Sequence, residues 1–362
     1  MFRKTVRQKQ NEITKPTKLL TKKGYVKEPG WARRNTLIQY NREAISAHPL
    51  RIKEWDFYQI CDGRYMTQFT IANISMAEAG CVTITDLKTG ALLLCAAMAH
   101  VYTVNRFPMP RSSEEPQKIS RHYGYFKMKI ESDGETYRHL TASGVALWPL
   151  GKKFKLDYYL EIPKDNESIT ISIPWKKKDA PGSKKLKDHF FLTNKANCMP
   201  VNGFVNIGKK QLLFTPDKTF GVLDWGRGVW AHNIRWIWGN GTTYLNGKLF
   251  GFEQTWGFGD DSDATETCLF YDGKAHKLGK CTVDYDKKRP GKHPWVFHEE
   301  NGRFEMTMVP FYNNHLGFDL GIVGAHNDQC HGLWNGTVTL DDGTVLEIKD
   351  MYAFCEQVHL KW

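Results

Sequence analysis

The sequence predicts an all-β fold, with two antiparallel β-barrel or sandwich domains behind an N-terminal arm. Three observations carry that expectation. Short runs rich in β-branched and aromatic residues follow one another from about residue 55 to the end. Asp-Gly and related pairs, which supply the positive φ of tight hairpins, separate many of them. An apolar period of helical spacing is scarce, and residues 30–47 offer the best stretch for a helix. The chain has 362 residues, enough for one large domain or two ordinary ones, and its 13% aromatic content speaks against wholesale disorder.

In chain order, residues 1–53 read as the arm, with Pro16, Pro29 and Gly30 as breakers. A first β domain covers 54–188. It opens with a β-rich run at 65–74, then a hairpin in which 81–85 and 91–99 flank a turn at 86–90. Residues 123–130 alternate and lead into the Ser132-Asp133-Gly134-Glu135 turn. Two further runs, 154–162 and 169–175, flank a polar turn at 164–167, and the lysine-rich stretch 176–188 reads as a linker or long loop. A second β domain covers 189–362 in the same style. Residues 204–214 turn at Gly208-Lys209-Lys210, and 267–278 turn at Asp272-Gly273. Residues 303–309 alternate, and 338–348 turn at Asp341-Asp342-Gly343.

The formal net charge of +11 suggests a polyanion partner until it is placed along the chain. Residues 1–53 hold 14 Lys/Arg against 3 Asp/Glu, and 152–187 hold 10 against 5. The remainder holds 26 against 31, so the body is mildly acidic and speaks against a nucleic-acid partner. The arm retains the composition for weak contact with an anionic surface. No run reaches the roughly 20 apolar residues of a membrane-spanning helix. The charged start lacks the apolar core of a secretory signal, and the eight Cys form no Cys-x-x-Cys. Both features suggest a cytoplasmic protein with reduced thiols. Nucleotide-binding, zinc-protease and serine-hydrolase motifs are absent, His326, Cys330 and His331 match no zinc spacing, and neither cofactor nor metal is expected.

The densest chemistry lies at 222–238. Trp225, Trp230, Trp236 and Trp238 are interleaved there with Asp224, Arg227, His232 and Arg235. One reading is an aromatic pocket in which Asp224 donates a proton, Arg227 holds an anion and the indoles steady positive charge. The other makes Asp224 and Arg227 a buried structural ion pair. Downstream, Glu253, Glu266, His331, Glu356 and His359 are polar residues in apolar settings, each a candidate acid or base.

Four blocks identify the chain as similar to the domain-of-unknown-function family 2804. They are Gly30-Trp-Ala-Arg-Arg with Tyr40-Asn41-Arg42; Arg51-Ile-Lys-Glu-Trp-Asp-Phe-Tyr; Cys198-Met-Pro-Val-Asn-Gly203 with Asp224-Trp-Gly-Arg-Gly-Val-Trp; and Thr265-Glu266 through Asp272-Gly273 to Phe354-Cys-Glu and Trp362. The chain departs from the family pattern at Thr267 and at Gln357-Val358. More distantly it resembles two-domain lipocalin-like proteins such as carotenoid hydratases, tocopherol cyclases and fungal pericyclases. That resemblance implies two lipocalin-like domains and a Trp-lined barrel pocket for an apolar or amphipathic small molecule. The expected catalytic set is Asp224, Arg227 and Glu266. The expected ligand-binding set is Trp225, Trp230, His232, Trp236, Trp238, His331 and Glu356. Three functions follow as expectations. One is cofactor-independent hydration, cyclisation or isomerisation, by a lyase or isomerase. A second is carriage of a lipid or carotenoid. The third is glycan chemistry on a carboxylate pair such as Glu253 and Glu266.

Overall fold

The computed structural model describes residues 10–101, 109–176, 189–321 and 323–361. Most of the lysine-rich linker, 177–188, lies outside the described residues. The chain is almost entirely β and forms two curled antiparallel half-barrel sheets.

The larger sheet has 13 strands. Its main path runs Ala91–Val101, Ala77–Asp86, Tyr65–Asn73, Ile52–Cys61, Phe220–Val229, Phe190–Ile207, Lys153–Glu161, Tyr137–Val145, Phe126–Ser132 and Gln117–His122. The second sheet has 9 strands, in the order Lys274–Lys277, Glu266–Tyr271, Lys248–Trp256, Asn233–Leu245, Val345–Lys361, Gly324–Thr339, Phe304–Asp319, Trp295–Glu299 and Cys281–Asp284. Apart from the short parallel pair Thr17–Lys18 and Ile38–Gln39, strands up to Val229 hydrogen-bond into the first sheet and those from Asn233 into the second. The change of sheet therefore falls about forty residues after the boundary expected at 189.

The turn signals act where local chemistry requires. Asp272 and Gly273 take φ of 52° and 79° between Glu266–Tyr271 and Lys274–Lys277. Asp133 closes the 132–137 turn by accepting the amides of Glu135, Thr136 and Tyr137. The expected helix at 30–47 is not formed. Gly30–Ala32 is a strand, and Asn35–Leu37 and Arg42–Ala44 are single 3-10 turns. Pairing of Gly30–Ala32 with Ile169–Pro174 satisfies its backbone in a way a helix would forgo.

Strand Phe190–Ile207 joins the parts of the larger sheet. A bulge between Ala196 and Met199, with Cys198 at φ 60°, bends it. It pairs with Phe220–Val229 on both sides of the bulge, with Ile169–Pro174 before it, and with Lys153–Glu161 and Lys210–Phe214 after it.

Three apolar cores result. One fills the first barrel around Tyr58, Phe69, Leu140, Tyr158 and Trp225. One fills the second around Phe252, Trp295, Phe297 and Trp334. The third lies between the barrels around Trp175, Phe191, Trp230 and Phe270. From residue 10 onward the arm packs onto the body. Ile13, Leu19, Ile38 and Tyr40 join the first core and Trp31 the third. Arg33 bonds Glu12 and Glu167, each at 2.8 Å, so part of the arm's positive charge is spent on the chain itself. No helix among the described residues is long and apolar enough to cross a membrane.

Candidate functional site between the two sheets

Strand alternation decides what each residue of the 222–238 segment touches. On Phe220–Val229, Leu223, Trp225 and Arg227 turn into the first barrel, and Asp224, Gly226 and Gly228 turn toward the second sheet. Asp224 and Arg227 are three apart, so they leave opposite faces and form no pair. Arg227 bonds Asp56 at 2.9 Å, with both side chains fully buried. It also donates to the carbonyls of Trp55, Gly226 and Pro110, and lies 4.0 Å over the Trp225 ring. Trp225 meets Tyr40 edge-on at 6.3 Å. Arg227 and Trp225 are thus core residues of the first barrel, away from the site expected for them.

Asp224 instead pairs with Lys195, its direct cross-strand neighbour, at 3.0 Å. Lys195 is fully enclosed, 3.8 Å from Glu253 and 4.2 Å from the centre of the Trp238 ring. Burial opposes its charge, but Asp224, Glu266 and Glu253 outweigh burial and hold the ammonium above its ordinary range. Glu266 comes from the second sheet and accepts a hydrogen bond from Thr193 of the first. Its other oxygen, Oε2, has no hydrogen-bond partner among the described residues.

Apart from Glu253, which lies behind them, these groups border a cavity of about 350 Å3 between the sheets. Its apolar wall is Trp55, Phe57, Trp230, Trp236, Trp238 and Phe258, and its polar wall includes Asp224, Lys195, Thr193, Glu266, Gln329 and Glu356. The Trp-lined pocket therefore lies in the seam between two barrels, not inside one. Its wall combines side chains that leave each sheet on the face opposite its own barrel core.

Three carboxyls here sit high. Burial pushes Glu356 up to about 7 against the hydrogen bonds of Trp236 and Gln329. Burial pushes Glu253 up to about 8, with Lys195 opposing it. Glu266 is raised by burial and by Asp224, again against Lys195. A single ammonium already paired with Asp224 does not offset the burial of Glu253, Glu266 and Glu356, and all three hold their protons more tightly than a free carboxyl.

A hydrogen-bonded chain leads outward from Glu356. Its Oε2 accepts from Gln329 at 2.9 Å, and its Oε1 accepts from the Trp236 indole at 3.1 Å. Gln329 Oε1 accepts from Gln68 of the first sheet at 2.9 Å and faces His331 Nε2 at 3.1 Å. An oxygen there requires Nε2 to carry the proton, which leaves Nδ1 to accept from the Tyr352 hydroxyl. Burial drives His331 down to about 3, so it stays neutral and positions Gln329 rather than touching the cavity.

Of the residues singled out from sequence, Asp224, Trp230, Trp236, Trp238, Glu266 and Glu356 come together. His331 stands behind Gln329. His232 is exposed in the link between the sheets. Of Glu253 and Glu266, the candidate glycosidase pair, only Glu266 lines the cavity. Sequence reasoning passed over Lys195, Thr193, Gln329, Trp55 and Phe57. The available signal was the polar run Thr193-Asn194-Lys195 directly after the apolar Phe190-Phe191-Leu192.

The architecture is similar to that of kievitone hydratase from Nectria haematococca, with TM-score 0.51 and 11% identity over 90% of this chain and 95% of that one. It also aligns with a protein described as an AttH from Nitrosomonas europaea, with TM-score 0.42 and 12% identity over 85% of this chain and 92% of the other. At such identity the likeness concerns the fold. No curated protein matches the sequence. Residues 10–362 match the model of the family described as domain of unknown function DUF2804, and the chain belongs to that family.

Proposed function

We propose that the inter-sheet cavity binds an apolar small molecule and that Glu266 protonates it, giving hydration, or isomerisation where no water adds. The observation that carries this reading is the carboxyl of Glu266. It is raised by burial, fixed through one oxygen by Thr193, and set in the cavity wall beside Thr255.

In hydration the Glu266 proton passes to one alkene carbon and leaves positive charge on its neighbour. The faces of Trp230, Trp236 and Trp238 stabilise that charge. Water adds to the cationic carbon, and the proton it sheds returns to Glu266, so the enzyme ends as it began. Asp224 remains the counter-ion of Lys195 and contributes negative potential beside the developing cation. The name of the structurally similar kievitone hydratase is compatible with hydration, but the reading rests on the residues.

The test is turnover in heavy water. Wild-type protein is incubated with a panel of isoprenoid alkenes, and products are analysed for deuterium and for added water. The expected result is incorporation that Glu266→Gln abolishes without loss of cooperative melting. Tight binding of an alkene with no incorporation by the wild type would make the protein a carrier and overturn the catalytic role.

A further inference from the structure

The second barrel opens at one end onto a second cavity of about 550 Å3, which touches the inter-sheet cavity through the shared side chain of Trp236. Arg235 and Ile237 line it and alternate along their strand with Trp236 and Trp238, so their side chains leave the face away from the inter-sheet site. Trp256, Tyr285, Lys287 and His359 also contribute to the wall.

The wall is preorganised. Tyr285 stacks on Trp295 at 3.9 Å, and its hydroxyl donates to Gln357 at 2.9 Å. Gln357 in turn donates to Asp328 Oδ2 at 3.0 Å. Asp328 is the one carboxylate among the lining residues, and it is already engaged. Its Oδ1 is 2.8 Å from both Asn313 and His315. Arg235 and Lys287 make no ion pair among the described residues. His326 lies parallel to His359 at 6.2 Å, and His359 titrates below its ordinary value through burial first, then through Arg235, Lys361 and His326. Two exposed cations that make no ion pair among the described residues, against a single carboxylate already tied to Asn313, Gln357 and His315, stand beside two aromatic side chains, an arrangement that favours an anion with an apolar body.

We propose that this end of the second barrel binds a small organic anion, its carboxylate, phosphate or sulfonate between Arg235 and Lys287 and its flat apolar body against Trp256 and Tyr285. The site is distinct from the inter-sheet cavity, and its occupancy requires no reaction at Glu266.

The probes are the fluorescent anion anilinonaphthalene sulfonate and its uncharged analogue N-phenylnaphthylamine, titrated into the full chain. The double variant Arg235→Gln/Lys287→Gln is expected to weaken the sulfonate about tenfold and to leave the neutral probe within about twofold. Arg235→Lys, which keeps the charge, retains most of the affinity. The control Lys152→Gln/Lys209→Gln removes the same charge from exposed positions elsewhere and leaves both affinities unchanged. Equal weakening in the control, or no weakening in the Arg235/Lys287 variant, overturns the site. Loss of the sulfonate in Trp238→Ala instead would place the probe in the inter-sheet cavity and overturn it as well.

Discussion

Lys195 and Asp224 stand directly opposite each other on neighbouring strands, 3.0 Å apart, and both face the second sheet from within the first. This pair is the electrostatic centre of the inter-sheet site. Without the ammonium, Asp224, Glu253, Glu266 and Glu356 would share the enclosed space with no opposing charge.

Lys195→Met should therefore destabilise the fold strongly. Removing one partner of a buried pair strands the other, at a cost of about 3–5 kcal/mol. Urea unfolding followed by circular dichroism measures it. A loss below about 1 kcal/mol would show that the carboxyls simply take up protons and that the pair carries little.

Arg227 and Asp56 allow structure to be separated from function. Arg227→Met should cost a similar ~3–5 kcal/mol, because it strands Asp56 in the first core. Ligand affinity in the inter-sheet cavity, measured below the melting transition, should be unchanged. Asp224→Asn should do the reverse in part, altering ligand affinity through the cavity wall. Equal effects on affinity would return Arg227 to the site.

Gly226 faces the same seam, and its lack of a side chain has a direct cause. A Cβ there would lie 2.1 Å from the Trp55 ring. Gly226→Ala should force Trp55 out of the cavity wall and cost about 1–3 kcal/mol as an overpacked contact. Thermal melting gives the cost, and a shift in tryptophan emission reports the displaced indole.

The pH dependence of stability follows from Glu356. Its folded value of about 7 lies above the 4.5 of an ordinary glutamate, so the folded state holds the proton over a range where the unfolded chain has lost it. The stability it contributes is complete below the unfolded value and is lost as pH rises through the folded one. Between pH 5 and 8 the wild type should lose about 2–3 kcal/mol relative to Glu356→Gln. Parallel pH profiles for the two proteins would place Glu356 near its ordinary value.

Much of the candidate site was legible because it lies in one stretch. Asp224, Trp230, Trp236 and Trp238 stand out in 222–238, and Glu266 and Glu356 are carboxyls in apolar runs. Strict alternation also separates Asp224 from Arg227, a signal present in the sequence itself. Lys195 was hidden for a physical reason. Thr193, Asn194 and Lys195 are all buried, so this part of the strand shows no alternation of polar and apolar faces to read.

By itself, the sequence determined that the chain is β, where many of its hairpins turn, and which segment gathers the tryptophans. Those are local properties, set by turn chemistry and side-chain period. Only the tertiary structure decided that the pocket lies between the barrels, that Arg227 belongs to Asp56, and that Lys195 belongs to Asp224. Strands such as Ile52–Cys61 and Phe220–Val229 are covered on both faces, one by their own barrel core and the other by the neighbouring sheet. Which face meets which core depends on how the two sheets pack, and no single strand records it.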